Sequence, residues 1–321
     1  IREGVEIRRL PWCAFGKRSI PLRLLGGLSL VLQSMVRGLF VRGLTHLLIT
    51  TAPPMSGLAA VWIKALRRVR VIYWVMDLNP DQMIAAGKMR GDSLAARLSS
   101  WVLRRILRSA DAVVAMDRFM AARLERKVPL GEKLSVIPPW PYEDQLADIP
   151  HSDNPFRQAH RLEDRFVVMY SGNISEVHPL NTLLEAMDRL RDDDGFMFVF
   201  IGAAAARQRI DAYATERGLT SVLTLGYVPL AETRFSLSAA DLHVVTMGDA
   251  MVGVVHPCKV YGIMSVGRPF LAIGPGESHL GEILSSGCVG WQVEHGDVEG
   301  VVRVLREARR LSPMERREIG D

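Results

Sequence analysis

The stretch DAMVGVVHPCKVYGIMSVGRPFLAIGP, residues 249–275, decides the fold of this chain. It follows an apolar run, residues 241–247, that is typical of a buried parallel strand. A glycine-containing loop then leads into a segment with helical spacing, which ends at Gly267, and a second apolar run follows. The order strand, loop, helix, strand predicts an α/β sheet, in which ligands bind at the carboxyl ends of the strands.

The loop and the helix start carry residues suited to an anionic ligand. Lys259 lies in the first turn of the predicted helix, where unpaired N–H groups and the helix dipole also favour negative charge. This combination suits a diphosphate, although a buried helix start with a surface lysine explains the same residues equally well. Asp249 and His256 lie in the loop and Tyr261 in the helix, so all four are candidate site residues.

Strand and helix patterns alternate along the rest of the chain, which predicts mostly parallel sheets with helices on both faces. Periodicity is lost over residues 146–164, where prolines and charges accumulate, so a linker is expected there. We expect two doubly wound, Rossmann-like domains that face each other across a cleft. They comprise residues 1–145, beginning with a strand at residues 4–10, and residues 165–321.

Composition limits the class of protein. The 321 residues, 48% of them hydrophobic, can form two cores. Cys13, Cys258 and Cys288 have unrelated spacings, which indicates neither a disulfide framework nor a zinc site and favours a reducing compartment. Because Ile1 is not an initiator and the chain stops within a helical pattern, we expect truncation at both ends and a missing first strand.

The charge is unevenly distributed along the chain. Residues 1–150 hold 23 Lys and Arg against 12 Asp and Glu, a net charge of +11, whereas residues 151–321 hold 17 against 23, a net charge of −6. A basic half favours an anionic partner. Nucleic acid is not expected, because no binding motif and no interleaving of aromatic and basic residues accompanies the charge.

An apolar segment, residues 21–44, is interrupted by Arg23, Arg37 and Arg42 and is too broken to span a bilayer. Its pattern fits a helix that lies in the membrane interface with the arginines at the headgroups. A core helix with a basic face fits the same pattern. The helix predicted for residues 94–110 is also strongly basic.

A second loop of phosphate-binding type lies at residues 170–179, between an apolar strand and a helical pattern. Gly172 allows a close approach of the backbone, and the following helix presents N–H groups. Asn173 and His178 belong to the same loop. Ordinary strand-to-helix turns also contain glycine, so the glycine alone does not indicate a binding site. The loop is a candidate because the strand before it and the strand before Asp249 are predicted to belong to the same sheet.

The second domain contains, in this order, the segments FVVMYSGN, LTLGYVPLAET, SLSAADLHVV, HPCKVYGIMSVGRPFLAIGP and SHLGEIL. Together they resemble the nucleotide-sugar domain of GT-B glycosyltransferases of the family-4 type. The first domain is similar to the acceptor domain of bacterial members that build cell-surface polysaccharides, through TTAPPMSGLAA and YWVMDLNPD. The resemblance implies a retaining, metal-independent transfer of sugar from a nucleoside diphosphate, with no cofactor besides that donor substrate.

The resemblance assigns expected roles to individual residues. It implies that Gly172 and Asn173 form the glycine loop near the diphosphate and that Lys259 is a basic position beside it. The loop expected to abut the base comprises Tyr227, Val228 and Pro229.

Two departures from the family pattern concern charged residues. Many members carry two glutamates eight positions apart, and here Val254 and Gly262 occupy those positions. His178 lies where a lysine is common. Asp249 and His256 are the candidates to take over these tasks.

The chemistry of such a transfer needs positive character beside the leaving diphosphate and an oriented acceptor. We expect Lys259, helix N-termini and a protonated His178 or His256 to supply the charge. Asp249 is the candidate for binding the sugar hydroxyls, and Asp77 or Asp81 for the acceptor hydroxyl. A solvated loop acid is the alternative for Asp249, and a helix cap or first-turn acid for the other two.

These features favour a glycosyltransferase without a metal site that acts on a lipid-linked or other anionic acceptor. The expected location is the cytoplasm, peripheral to the inner face of the plasma membrane. Two alternatives stay open: a nucleotide-sugar epimerase of the same architecture, and a degenerate module that binds without catalysis.

Overall fold

Strands and helices alternate along the chain in the computed structural model, which describes residues 4, 6–11, 20–52, 55–139, 148–287 and 289–320. The chain divides into two units. Unit 1 comprises Ile1–Pro138 and Gly253–His256, and unit 2 comprises Pro139–Val252 and Pro257–Asp321. The short segment Gly253–His256 therefore belongs to unit 1, although the residues on either side of it belong to unit 2.

Unit 1 contains a parallel sheet whose strands are paired in chain order among the described residues: β1 (His46–Thr50), β2 (Arg70–Val75), β3 (Ala112–Ala115) and β4 (Leu134–Val136). In the part of this unit that the structure describes, at least one helix follows each of β1, β2 and β3. The helices of this unit are α1 (Ile20–Phe40), α2 (Ser56–Arg67), α3 (Asp81–Ala85), α4 (Leu94–Ser109) and α5 (Arg118–Lys127).

Local sequence signals position the helices of unit 1. The side chain of Ser93 caps α4 by accepting a hydrogen bond from the Ala96 N–H at 3.2 Å, and Asp117 caps α5 by accepting from the Met120 N–H at 2.7 Å. In β2 the side chains of Val71, Tyr73 and Val75 are buried and alternate with more exposed ones. This alternation fixes which face of the strand enters the core.

Unit 2 contains a parallel sheet with the strand order β10-β9-β8-β5-β6-β7. Its strands are β5 (Phe166–Ser171), β6 (Phe196–Ile201), β7 (Val222–Leu225), β8 (Leu242–Thr246), β9 (Phe270–Ile273) and β10 (Gly290–Val293). Its helices are α6 (Pro155–His160), α7 (Asn181–Arg189), α8 (Ala204–Arg217), α9 (Thr233–Ser238), α10 (Lys259–Ser265), α11 (His279–Ser286), α12 (Val298–Arg310) and α13 (Pro313–Gly320).

The order of these strands creates a reversal in the middle of the sheet. The chain passes from β5 outward through β6 to β7, then returns to place β8 on the other side of β5. Every residue of β8 is buried, as expected for a parallel strand covered on both faces. In such sheets the ligand-binding crevice lies where the direction of the strand order reverses, between β5 and β8.

A buried carboxylate joins distant parts of unit 2. Asp241 Oδ2 accepts hydrogen bonds from the Val167 N–H at 2.8 Å and from Arg157 Nη1 at 3.2 Å. Asp241 Oδ1 accepts from Arg316 Nη2, on α13, at 2.9 Å. All three charged side chains are buried, so this network fixes α6 and α13 to the base of β5 and β8.

The prediction of an α/β fold with two Rossmann-like units is confirmed, and one strand prediction is wrong. Residues 6–10 form no strand, and most of them are exposed. Alternating apolar and polar residues need a neighbouring strand to pair with, and none pairs with these residues in the described part of the chain. The predicted linker, residues 146–164, contains the short helix α6 with the buried Arg157.

Candidate functional site

The site in unit 2 lies at the carboxyl ends of β5 and β8. Gly172 follows β5, and a short turn, Asp249–Met251, follows β8. The two loops are bonded to each other, because the Gly248 N–H donates to the Val177 carbonyl oxygen at 3.0 Å. The structure thus brings together the two loops that the sequence singled out separately.

Lys259 directs its ammonium group into this site. The nitrogen Nζ is buried and has no hydrogen-bond partner among the described residues. It lies 3.8 Å from the centroid of the Tyr170 ring, a cation–π contact that offsets only part of the cost of burial. Burial lowers the pKa of Lys259 to about 7. A buried cation without a partner is costly, so this position is suited to a ligand that brings negative charge.

Gly172 leaves room for the lysine. Its φ of +128° lies in a region that side chains rarely adopt, and a Cβ at this position would lie 3.3 Å from Lys259 Nζ. The Gly172 N–H donates to the Ile201 carbonyl oxygen at 2.9 Å, which holds the loop against β6. The hydroxyl of Tyr170 donates to the Asn173 carbonyl oxygen at 2.8 Å and fixes the next residue of the loop.

His178 lies in the same loop and contacts the end of β8. Its Nδ1 is 2.7 Å from the Thr246 carbonyl oxygen, which can only accept, so Nδ1 carries the proton. Burial, together with the charge of Lys259, lowers the pKa of His178 to about 4. The ring is therefore neutral at pH 7 in this structure, and the expected protonated form requires an anion beside it.

The other predicted donor residues of unit 2 lie at its loops and helices. Tyr227, Val228 and Pro229 follow β7, and the side chain of Tyr227 is 59% exposed. Tyr261 is half-buried in α10, and Asp249 is exposed in the turn after β8. An exposed position leaves the carboxylate of Asp249 accessible to a hydroxyl-bearing ligand.

His256 lies in unit 1, beside a residue that the sequence did not suggest. Its Nδ1 is 2.7 Å from Asp117 Oδ2, and both side chains are buried. The Leu78 N–H donates to the Val254 carbonyl oxygen at 2.8 Å, which holds the same segment. The position of Asp117 just before α5 is a sequence signal for a helix cap. Its contact with His256 could not be predicted, because the two residues are 139 positions apart in the sequence.

Asp77 and Asp81 lie at the carboxyl end of β2. The side chain of Asp77 is half-buried, and burial raises its pKa. Its N–H donates to Thr51 Oγ1, just after β1, at 3.2 Å. Asp81 is the first residue of α3 and forms an ion pair with Lys127 Nζ at 2.9 Å, while Asp81 Oδ2 is buried without a hydrogen-bond partner among the described residues.

Two family models match the chain. The Glycosyl transferase 4-like domain matches residues 2–140, and the Glycosyl transferases group 1 domain matches residues 152–319, more than half of the chain. The chain therefore belongs to the group 1 glycosyl transferases, and its two Rossmann-like units are those of the GT-B class.

Two curated proteins and one solved structure illustrate the similarity. WbjE of Pseudomonas aeruginosa, named as a probable glycosyltransferase, is 28% identical over 73% of this chain and 59% of its own length. WcaI of Escherichia coli K12, named as a colanic acid biosynthesis glycosyl transferase, is 26% identical over 74% of this chain and 60% of its own. This chain thus spans about three fifths of the length of these relatives.

The crystal structure of Anabaena HepE in complex with UDP and glucose has the same fold. It superposes with a TM-score of 0.71 at 16% identity, and the match covers 92% of this chain and 76% of HepE. At this identity the similarity establishes the fold.

Proposed function

We propose that this chain transfers a sugar from a nucleoside-diphosphate sugar to a lipid-linked acceptor in the synthesis of a cell-surface polysaccharide, with retention of configuration and without a metal. The observation that carries the proposal is the buried ammonium of Lys259, without a hydrogen-bond partner among the described residues, beside Gly172 where the strand order reverses. A diphosphate would provide the acceptor oxygens that this group lacks.

The proposed chemistry depends on charge that develops on the leaving diphosphate. Lys259 would stabilise this charge in a site of low dielectric constant, where one fixed cation has a large effect. The Nδ1 proton of His178 is engaged with Thr246, so Nε2 remains to contact the donor and would take up a proton beside a phosphate. Asp249 would bind hydroxyls of the donor sugar.

The acceptor hydroxyl is proposed to bind in unit 1. Asp77 is half-buried at the carboxyl end of β2, and its raised pKa indicates a carboxyl group in a poorly solvated position. Such a group is suited to a hydrogen bond with a sugar hydroxyl. The net charge of +11 over residues 1–150 favours an acceptor that carries phosphate. His256, held by Asp117, would then position the loop that leads to Lys259 rather than contact the diphosphate.

The names of similar proteins support the choice of donor and pathway. HepE was crystallised with UDP and with UDP-glucose, which supports a UDP-sugar as the first donor to test. WcaI carries colanic acid biosynthesis in its name, which supports a role in making a surface polysaccharide.

A panel of UDP-, GDP-, ADP- and dTDP-sugars tests the proposal in two steps. Thermal shift identifies the donor, since a ligand at about 100 times its dissociation constant stabilises the fold by about 2.7 kcal/mol. Product analysis with that donor then follows hydrolysis, transfer to a polyprenyl-diphosphate-linked sugar, and the anomeric configuration of the product. An epimerised donor would instead indicate an epimerase, and stabilisation without turnover a binding module; either result contradicts the proposed transfer.

A further inference from the structure

Three helices of unit 1 pack side by side, with α2 in the middle. Arg67 Nη1, on α2, donates to the Gly38 carbonyl oxygen of α1 at 3.0 Å, and Lys64 Nζ donates to the Ser109 carbonyl oxygen of α4 at 2.7 Å. Glycines allow these close approaches, since a Cβ at Gly57 of α2 would collide with the Ile106 side chain of α4. The three helices therefore form one continuous layer.

The outer surface of this layer is apolar to an unusual degree. On α4, Leu94, Leu98 and Trp101 are 81%, 59% and 55% exposed, and they share one helix face because their spacing is three or four residues. On α2, Trp62 and Leu66 are 56% and 62% exposed. Among the described side chains of α1, the apolar ones that are more than half exposed follow the same spacing and are Leu25, Leu28, Leu32, Val36 and Phe40. We call these ten residues the apolar face.

The charge on the same three helices has one sign. Their sequences contain eight Lys and Arg and no Asp or Glu. Arg97, Arg105 and Arg108 of α4 are exposed on the same side of the helix as Leu98 and Trp101. An anionic lipid surface complements all of these charges at once, and the boundary between its headgroups and acyl chains accepts the apolar side chains that lie between them.

We propose that the apolar face docks on an anionic lipid bilayer, with its leucines and tryptophans at the boundary between headgroups and acyl chains and the arginines on lipid phosphates. In the described part of the chain, no helix has the length and apolarity needed to cross a membrane. The inference rests on the proposed function only in that a lipid-linked acceptor gives the attachment a purpose.

Vesicle co-sedimentation of the full chain, without substrates, tests the docking. The protein should bind vesicles of phosphatidylglycerol and phosphatidylcholine, bind phosphatidylcholine alone far more weakly, and dissociate as salt is added. The pair Arg105→Gln and Arg108→Gln should weaken binding to the anionic vesicles by roughly 10- to 30-fold, since each basic residue near such a surface contributes about fivefold.

Leu98→Ser and Trp101→Ser should also weaken vesicle binding, because they remove apolar side chains that would enter the interface. Matched controls lie in unit 2: Leu230 is as exposed as Leu98, and Arg303 and Arg310 are exposed on α12. Leu230→Ser, and the pair Arg303→Gln and Arg310→Gln, should bind like the parent protein. Circular dichroism of each variant verifies that it is folded.

Tryptophan quenching locates the inserted surface. Lipids brominated in the acyl chain should quench fluorescence of the parent protein, and Trp101→Phe should lose part of this quenching while binding is retained. No binding to anionic vesicles at low salt, equal binding to neutral vesicles, or controls that weaken as much as the face variants would overturn the proposal. Lys259→Ala should bind vesicles normally, so a failure of docking is distinguishable from a failure of the proposed transfer.

Discussion

The burial of Lys259 lowers the stability of the folded chain. The pKa of Lys259 is about 7 in the folded chain, against 10.5 for an ordinary lysine, and each unit corresponds to about 1.4 kcal/mol. Between these two values the unfolded chain binds more protons, so stability rises with pH in that window. Below pH 7 the full cost of the buried charge is present.

Replacing this lysine should separate stability from activity. Lys259→Met keeps much of the side-chain volume and removes the charge, so we expect the melting temperature at pH 7 to rise by roughly 2 °C or more. Turnover should fall about 100-fold or more, the order seen when one preorganised charge-stabilising group is removed. Exposed Lys88→Met serves as the control. A variant that is stabilised yet fully active would refute the role in donor binding.

Donor affinity should depend on pH through the same residue. An anionic donor favours the charged lysine and raises its pKa above the value of about 7 that Lys259 has in the protein alone. Binding above pH 7 then takes up a proton, and affinity falls by at most about tenfold per pH unit as the pH rises. Calorimetry in buffers of different ionisation enthalpy measures the uptake at pH 8. Proton release, or an affinity independent of pH between 7 and 9, would contradict this.

Gly172 allows a test of geometry alone. In Gly172→Ala the new methyl group would lie 3.3 Å from Lys259 Nζ on a backbone with φ of +128°, so the loop or the lysine must shift. We expect kcat to fall on the order of 10- to 100-fold, as displacements near 1 Å cause at reacting centres. Gly287→Ala is the matched control, because its added methyl group would make only an ordinary contact at 3.8 Å. Equal activity of the two variants would remove Gly172 from the site.

At the scale of elements, helix α13 depends on a buried ion network. Asp241→Asn leaves Arg157 and Arg316 buried without a countercharge, which should destabilise unit 2 by about 3–5 kcal/mol in urea unfolding. The exposed pair of Arg189 and Glu299 provides the contrast, so Glu299→Gln should cost less than about 1 kcal/mol. Similar losses in the two variants would show that the network contributes no more than a surface pair.

The sequence predicts the individual strands and helices better than it predicts which of them lie side by side. The apolar runs at β5 and β8 and the glycine that ends α10 are local signals, and they lead to the correct strands and loops. The strand order, which places β8 beside β5, is a long-range property that no window of sequence contains. The contact between His256 and Asp117 was missed for the same reason, and the strand at residues 4–10 was wrongly predicted because alternation does not supply a pairing partner.

At the scale of the whole molecule, the charges proposed to assist the reaction belong to the protein. Lys259 and a histidine at the sheet edge would stabilise the charge on the leaving diphosphate, a role that a bound metal ion has in other enzymes. We therefore expect full transferase activity after EDTA treatment. The measurement compares initial rates before and after dialysis against the chelator, with a magnesium-dependent enzyme as the positive control. Loss of activity that magnesium or manganese restores would contradict the proposal.

The segment Gly253–His256 has a consequence for the order in which the protein is made. Unit 1 includes this segment, yet more than a hundred residues of unit 2 are synthesised before it. When the ribosome has extended the chain just past Pro138, Val254 and His256 have not yet been synthesised. The hydrogen bonds that they form with the Leu78 N–H and the carboxylate of Asp117 therefore cannot form at that stage. The nascent first unit therefore reaches its final form only after the central strands of the second have emerged, and a fragment that ends at Pro138 should be cleaved by protease faster than the same unit in the full chain.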